Sequence, residues 1–392
     1  MSKTLSLMIF LTIVIIVVSS VHYYLWLRLV RDTGIIGRYR SIATFSLIFM
    51  AVLLPLSIYF SRALPYNYFR PVLWIAYLWL GIMMLLFVTF IAIDIIKLLI
   101  GIVNYLSSTS NNKYDPSRKK FITGIISYGA TALVAGTTIF GVKNYLSKAK
   151  VKDLKLKVEG LPDVFNDMTI VQLSDLHIGQ LMTKTTLKEI VDQVNDLNPD
   201  IIVITGDLVD GNTELLLDEI TPLKDLKARE GIYFVTGNHE YYSGVEKWLA
   251  EIKRMGIIVL HNENVKITKE DKFFYLAGVT DKDGERYSKH HKPDYEKALG
   301  SIENDKIKIL LAHQPVQVNE AAKYGVDLML SGHTHGGQIW PFHFLVYLQQ
   351  PYLKGLYKHK NTNLYVNQGT GCWGPPIRIG SENEITRIIL KA

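Results

Sequence analysis

Cysteine is almost absent: the 392 residues contain one, Cys372. A single thiol excludes an intramolecular disulfide framework and any metal site built from several thiolates. Acidic residues are scarce at the start of the chain, where residues 1–150 hold only Asp32, Asp94 and Asp115 against fifteen lysines and arginines, a net of +12. The whole chain carries +7, so the remainder stands at −5. The basic excess thus lies around the first part, and the second lacks the basic stripe a nucleic-acid binder would need. Charge is low overall, 20% against 48% hydrophobic, which is too apolar for an ordinary soluble enzyme and points to membrane-inserted segments.

Four apolar stretches, 5–27, 42–60, 72–96 and 121–142, supply them. Each is near the roughly 20 residues a helix needs to cross about 30 Å of hydrocarbon. Glycines 124, 129, 136 and 141 dilute the fourth, as suits a helix that packs closely against others. The expected organisation is a transmembrane region over 1–145, a linker and first strand over 146–167, and a catalytic domain over 168–392. Orientation follows the Lys/Arg bias of short loops. Arg28, Arg31, Arg38 and Arg40 in the first loop, and Lys97, Lys113, Arg118, Lys119 and Lys120 in the third, stand against Lys3, Arg62 and Arg70. That bias places both termini outside. The lysines from Lys143 to Lys157 oppose it but lead into a large domain, where charge steers insertion less. The run Ser117-Arg118-Lys119-Lys120-Phe121-Ile122 resembles a degenerate twin-arginine export signal, with Lys in place of the second Arg. Asp94 and Lys97, three residues apart, read as a snorkelling interfacial pair.

From Val151 onward short β-rich runs alternate with amphipathic helical ones, the texture of an α/β domain. The spacing of Leu187, Ile190, Val191 and Val194 predicts a crossover helix over 186–197. Five predicted strands run into polar residues of metal-ligand type. Strand 169–173 leads to Asp175 and His177, 201–204 to Asp207 and Asp210, and 232–235 to Asn238, His239 and Glu240. Strand 307–312 leads to His313, and 327–330 to His333 and His335. Side chains on strand-end loops can converge on one rim of a sheet. The donors are oxygen and nitrogen throughout, a set suited to two divalent ions such as Mn²⁺, Fe²⁺ or Zn²⁺.

These blocks, Asp-x-His, Gly-Asp-x-x-Asp, Gly-Asn-His-Glu, an isolated His and Gly-His-x-His, resemble the calcineurin-like metallophosphoesterases, and all five occur in order from about Met168 onward. His333-Thr334-His335-Gly336-Gly337-Gln338 and Gly369–Arg378 are most similar to the bacterial membrane-associated branch. Ala312 before the isolated His replaces the Gly of many relatives. The resemblance implies a four-layer α/β/β/α sandwich after the four transmembrane helices. It implies Asp175, His177 and His335 on one metal, Asn238, His313 and His333 on the other, Asp207 bridging, and Mn²⁺ as the first expectation. A hydroxide shared by the two ions would attack phosphorus. His239 would stabilise the transition state or protonate the leaving oxygen, oriented by Asp210, with Glu240 secondary.

The implied reaction is hydrolysis of a phosphodiester or pyrophosphate bond in a membrane-associated or lipid-linked substrate, with no nucleic-acid partner. The implied location is a bacterial inner membrane, with the catalytic domain extracytoplasmic. A cytosolic domain would instead suit a pyrophosphatase of UDP-2,3-diacylglucosamine in lipid A synthesis. A catalytically inactive receptor or scaffold is the alternative from another class, and the complete ligand set argues against it. Outside the blocks, Arg378 is a candidate phosphate contact, Cys372 a packed small residue, and His261, His290, His291, His343 and His359 surface or loop residues. The aromatic segment from Trp340 to Tyr357 has two readings, an interfacial anchor or an internally packed insertion.

Overall fold

A helix apolar on every face finds no aqueous surface to present, so its stable environment is lipid or the interior of a bundle. In the computed structural model, which describes residues 3–61, 64, 66–107 and 116–392, four such helices come first. They are α1 (Lys3–Trp26), α2 (Gly37–Phe60), α3 (Tyr66–Leu106) and α4 (Pro116–Tyr145), each long and apolar enough to cross a membrane. Ile15, Phe45, Leu99 and Ile139 are exposed along them, as lipid-facing side chains would be. Arg62, Lys113 and Asp115, which entered the charge bias, lie outside the described residues.

One sequence expectation fails here. Asp94 does not rely on Lys97: its carboxylate accepts from Arg28 at 2.6 Å and from the Tyr24 hydroxyl at 2.5 Å. Arg28 also reaches Asp32 at 2.7 Å, just past a turn of π-helix over Leu27–Arg31. A guanidinium can serve two carboxylates at once, whereas an ammonium three residues along the same helix would leave Asp94 with one solvated neighbour.

The chain divides into two compact units, one of Met1–Leu64 with Pro71–Phe140, the other of Pro65–Arg70 with Gly141–Ala392. The second holds two six-stranded sheets. The first sheet runs β1 (Lys150–Lys157), β12 (Glu384–Lys391), β2 (Thr169–Leu173), β3 (Ile201–Thr205), β4 (Ile232–Val235), β5 (Ile258–Val259). The second runs β10 (Gly355–His359), β11 (Thr362–Val366), β9 (Leu328–Ser331), β8 (Lys308–Leu311), β7 (Lys272–Gly278), β6 (Glu263–Lys269). β2, β3 and β4 are parallel neighbours, and so are β7, β8, β9 and β11.

Alternation along the strands explains the layering. Ile170, Val203, Val235, Leu276, Ile309, Leu311, Leu328 and Leu330 are buried in one cluster between the sheets. Their sequence neighbours Ala277, Leu310 and Met329 turn to the opposite face and fill a second cluster with Leu364, Val366, Ala298, Val318 and Ala321. On the other sheet α5 (Lys184–Asp196) connects β2 to β3 and buries Leu187, Ile190, Val191 and Val194, the stripe read from the sequence. Thr183 caps it, accepting from the Thr186 amide at 3.1 Å. The architecture is the expected α/β sandwich preceded by four apolar helices.

Phe274 sits at the centre of the inter-sheet core, fully buried and edge-on to Phe165 at 5.0 Å between centroids. Phe274→Ala is expected to cost about 3–5 kcal/mol, read as a lowered Tm when the detergent-solubilised chain is followed by near-ultraviolet circular dichroism.

Candidate metal centre

Parallel strands point all their C-terminal ends the same way, so the loops after β2, β3, β4, β8 and β9 open on one rim. Among the described residues, three groups of donors come together there. Asp175, His177 and His335 form one, Asp207, His313 and His333 a second, and His177, Asp210 and His239 a third, the donor atoms of each lying within 4.8 Å of one another. Asp207 stands between the first two: its Oδ2 is 3.2 Å from His313 Nε2 and 3.8 Å from His177 Nε2.

The backbone is bent to make this possible. Asp175, His177, Asp207, His333 and His335 all take positive φ, between 48° and 71°. Non-glycine residues seldom do so, and a cluster of them at one rim marks a site where geometry is held against local preference. Neighbouring glycines give the room. A Cβ on Gly332 would collide with Ser174 and Asp175, and one on Gly206, at φ +88°, would lie 2.7 Å from His313 Nδ1.

Hydrogen bonds around the donors leave the metal-facing atoms free. His313 Nδ1 lies 2.7 Å from the Thr205 carbonyl, to which it can only donate, so Nε2 is the ring atom turned toward Asp207 and His333. The Asp175 carboxylate accepts from the His333 amide at 2.9 and 3.0 Å and so couples two loops. The His239 amide donates to Asp207 Oδ1 at 2.8 Å, leaving Oδ2 for the centre.

Without a cation this arrangement is poorly satisfied. His177 Nε2 faces His335 Nε2 at 3.0 Å, and His333 Nδ1 faces His313 Nε2 at 3.1 Å. Asn238 Oδ1 is buried with no hydrogen-bond partner. Burial, reinforced by His313, pushes His333 down to about 3, and burial with His177 beside it pushes His335 down as well. Both imidazoles are therefore neutral lone-pair donors at neutral pH. Burial opposes ionisation of Asp207, but His313 and His239 outweigh it and keep the carboxylate charged. Neutral imidazoles, a carboxylate standing between the two donor groups and an unpaired amide oxygen fit divalent cations.

His239 is built differently. Its Nδ1 donates to Asp210, and burial, which alone would lower its pKa, is outweighed by Asp207 and Asp210, so that it rises to about 9. It is thus a protonated imidazole beside the donor groups. The exposed rings of Tyr242 and Trp373 stand 5.2 and 5.8 Å from its ring centroid and form the rim.

Three residues differ from their sequence-based reading. Arg378 contacts no open surface: it is fully buried and donates to the carbonyls of Gln368, Gly369 and Gly371 and to Ser381 Oγ. It fastens the loop whose Thr370 and Gly371 amides bond the Ser174 and Asp175 carbonyls, so it supports Asp175 and not a phosphate. Glu240 is more than secondary. Fully buried, it accepts from the amides of Gly237 at 2.6 Å, Asp207 at 3.0 Å and Leu208 at 2.8 Å, tying the β3 and β4 loops together. Its place three residues into the helix after Gly237 was the available signal, a capping position. His291 is buried, not a surface residue, and meets Glu246 at 2.8 Å away from the donor groups. Cys372 donates to the Pro375 carbonyl, and burial raises its thiol to about 11, which suits packing and not attack.

The family model that matches residues 168–337 is the calcineurin-like phosphoesterase. A "Transmembrane protein with metallophosphoesterase domain" from Danio rerio is 41% identical over 271 residues, 67% of this chain and 62% of that protein. An "Uncharacterized metallophosphoesterase" from Helicobacter pylori is 38% identical over 290 residues, 73% of this chain and 76% of that one. A Campylobacter jejuni protein, also described as an uncharacterized metallophosphoesterase, is 30% identical over 393 residues, 98% of both chains. The chain belongs to the calcineurin-like metallophosphoesterases, a family of hydrolases acting on phosphate esters. It spans about three-fifths of the length of the vertebrate relatives it matches.

Glu240→Gln would set an amide donor against backbone N–H groups and loosen both loops. Mn²⁺ affinity measured by titration calorimetry is expected to fall about 10–100-fold, with the purified chain still folded.

Proposed function

We propose that the chain hydrolyses a phosphodiester or pyrophosphate bond in a membrane-associated or lipid-linked substrate, with residues 168–392 as the catalytic domain. The carrying observation is that two donor groups meet at Asp207 Oδ2. Asp175, His177 and His335 would hold one divalent cation, Asn238, His313 and His333 the other, with Asp207 shared between them and Mn²⁺ favoured. When bound, such a pair supplies Lewis acidity and a water of lowered pKa.

The protein's own contribution then falls to two residues. His239, protonated and held by Asp210, is placed to give a proton to the departing oxygen. Asp210 holds its ring in orientation and fixes the proton on Nδ1 before that transfer, leaving Nε2–H for the substrate. His177 Nδ1 also lies 3.2 Å from Asp210 Oδ2, so the same carboxylate neighbours both rings.

Mn²⁺-loaded protein is expected to hydrolyse p-nitrophenyl phosphate or bis-(p-nitrophenyl) phosphate, and Asp207→Ala to abolish this. Asp210→Asn and His239→Ala should each lower kcat about 10²–10⁴-fold while Mn²⁺ still binds. Full turnover by Asp207→Ala would remove the assignment.

We infer that the catalytic domain lies outside the cytoplasmic membrane, from the arginines and lysines of the first and third loops. An alkaline phosphatase fused to the C-terminus should be active and a green fluorescent protein fused there dark. The reverse pattern would favour the cytosolic nucleotide-linked pyrophosphatase reading.

A further inference from the structure

The aromatic segment that follows the last histidine block divides in the structure. In its second half Leu353 is buried and Tyr352 and Tyr357 lie against the outer core cluster, with Leu356 the exposed exception. Its first half does the opposite. Trp340, Phe344, Leu345, Tyr347 and Leu348 are all exposed, Leu348 to 81%, around a single helical turn over His343–Val346. Five large apolar side chains on one short loop are not a surface that water stabilises.

The surroundings of this patch say what covers it. Trp340 donates its amide to Ile379 at 2.9 Å, and Ile339 pairs with Ile379. The adjacent residue, Arg378, donates its amide to the Gly141 carbonyl at 3.0 Å and accepts from Asn144 at 3.2 Å, while Asn383 donates to Tyr145 and Ser147. Gly141 and Tyr145 form the last turn of α4, the last helix long and apolar enough to cross a membrane. The patch and the point where the chain emerges from that helix therefore share one strap, 377–383. Exposed Lys143 and Lys148 flank exposed Leu146 there, a mixture suited to the headgroup zone of an anionic bilayer.

The same loop reaches the metal centre. Gln338, two residues before Trp340 and three after His335, donates to the Trp373 carbonyl at 2.8 Å and accepts from the Trp373 amide at 3.2 Å. Trp373, itself exposed, touches the ring of His239. On another side of the site, Tyr66 at the start of α3 donates to the Asp210 carbonyl at 3.3 Å, and Arg70 pairs with Glu219 at 2.8 Å. Two chain segments that adjoin membrane-length helices thus end on loops of the centre.

We propose that Trp340, Phe344, Leu345, Tyr347 and Leu348 seat in the lipid interface, so that the centre takes its phosphate ester directly from the bilayer surface. The second half of the proposal rests on the phosphoesterase reading above; the first half does not. A second copy of the chain is a different occupant of the same surface, and the test separates it.

Leu348→Cys and Leu345→Cys, each in a Cys372→Ala background of the full chain, carry a nitroxide in vesicles of phosphatidylethanolamine and phosphatidylglycerol. Asp271→Cys, on an exposed turn between β6 and β7, is the control. The expected result is that both leucine-site labels meet oxygen more readily than a water-soluble nickel complex, with the order reversed at Asp271. Equal access of nickel at all three sites, or spin–spin broadening at Leu348 that reports a neighbouring copy, would overturn the seating. In a second arm, the double variant Phe344→Ser, Leu348→Ser is compared with the parent on phosphatidyl-p-nitrophenol in those vesicles and on soluble bis-(p-nitrophenyl) phosphate. Turnover of the vesicle substrate should fall about ten-fold or more, with the soluble ester unchanged. An equal effect on both substrates would overturn bilayer loading. Failure of the parent on the soluble ester would overturn the phosphoesterase reading and bilayer loading with it, while the labels still decide the seating.

Discussion

Crowded donor atoms are the constraint on which the rest of this structure turns. Asp175, His177, Asp207, His313, His333 and His335 are gathered at one rim, with nitrogens facing nitrogens at 3.0 and 3.1 Å. Such a set is held together only by a frame that does not relax, or by a cation that turns the opposed lone pairs into ligands. Both are provided for. The frame consists of two sheets packed face to face, and the donor chemistry is that of divalent metal ligands.

The frame acts through backbone hydrogen bonds more than through ion pairs. Glu240 gathers amides from two loops, Asp175 gathers the amide of His333, and Arg378 gathers three carbonyls of a third loop. Each is an ionisable group buried among backbone dipoles, and each fixes a segment bearing or touching a donor. This is how five residues are kept at positive φ, and why the late Gly369–Arg378 segment, distant in sequence from the histidines, is part of the same construction.

The membrane-length helices and the metal centre are linked by short connections. β1 begins five residues after α4 ends, so little chain separates that helix from the first strand of the sandwich. The strap 377–383 bonds the last turn of α4, and on the rim Trp373 stands against the ring of His239.

Much was legible in the sequence because the relevant signals are local. Apolar runs of about 20 residues specify membrane-length helices by composition alone. The spacing of Leu187, Ile190, Val191 and Val194 specifies one face of α5, and strand ends followed by Gly-Asp or Gly-His specify where ligands stand. What the sequence left open depends on partners distant along the chain. Asp94 had a lysine three residues away, yet its partners are Arg28 and Tyr24, brought close only when the helices pack. Arg378 read as a free cation until the fold enclosed it among carbonyls, and Glu240 read as secondary until two loops closed on it. The segment from Trp340 to Tyr357 reads as one aromatic-rich run, and tertiary packing alone set Tyr352, Leu353 and Tyr357 against the core while leaving Trp340, Phe344, Leu345, Tyr347 and Leu348 exposed. Composition and local spacing determined which elements form and which residues can bind a metal. Which groups are desolvated, and whose charges they face, was decided by the tertiary structure, because burial and electrostatic pairing are properties of three-dimensional neighbours.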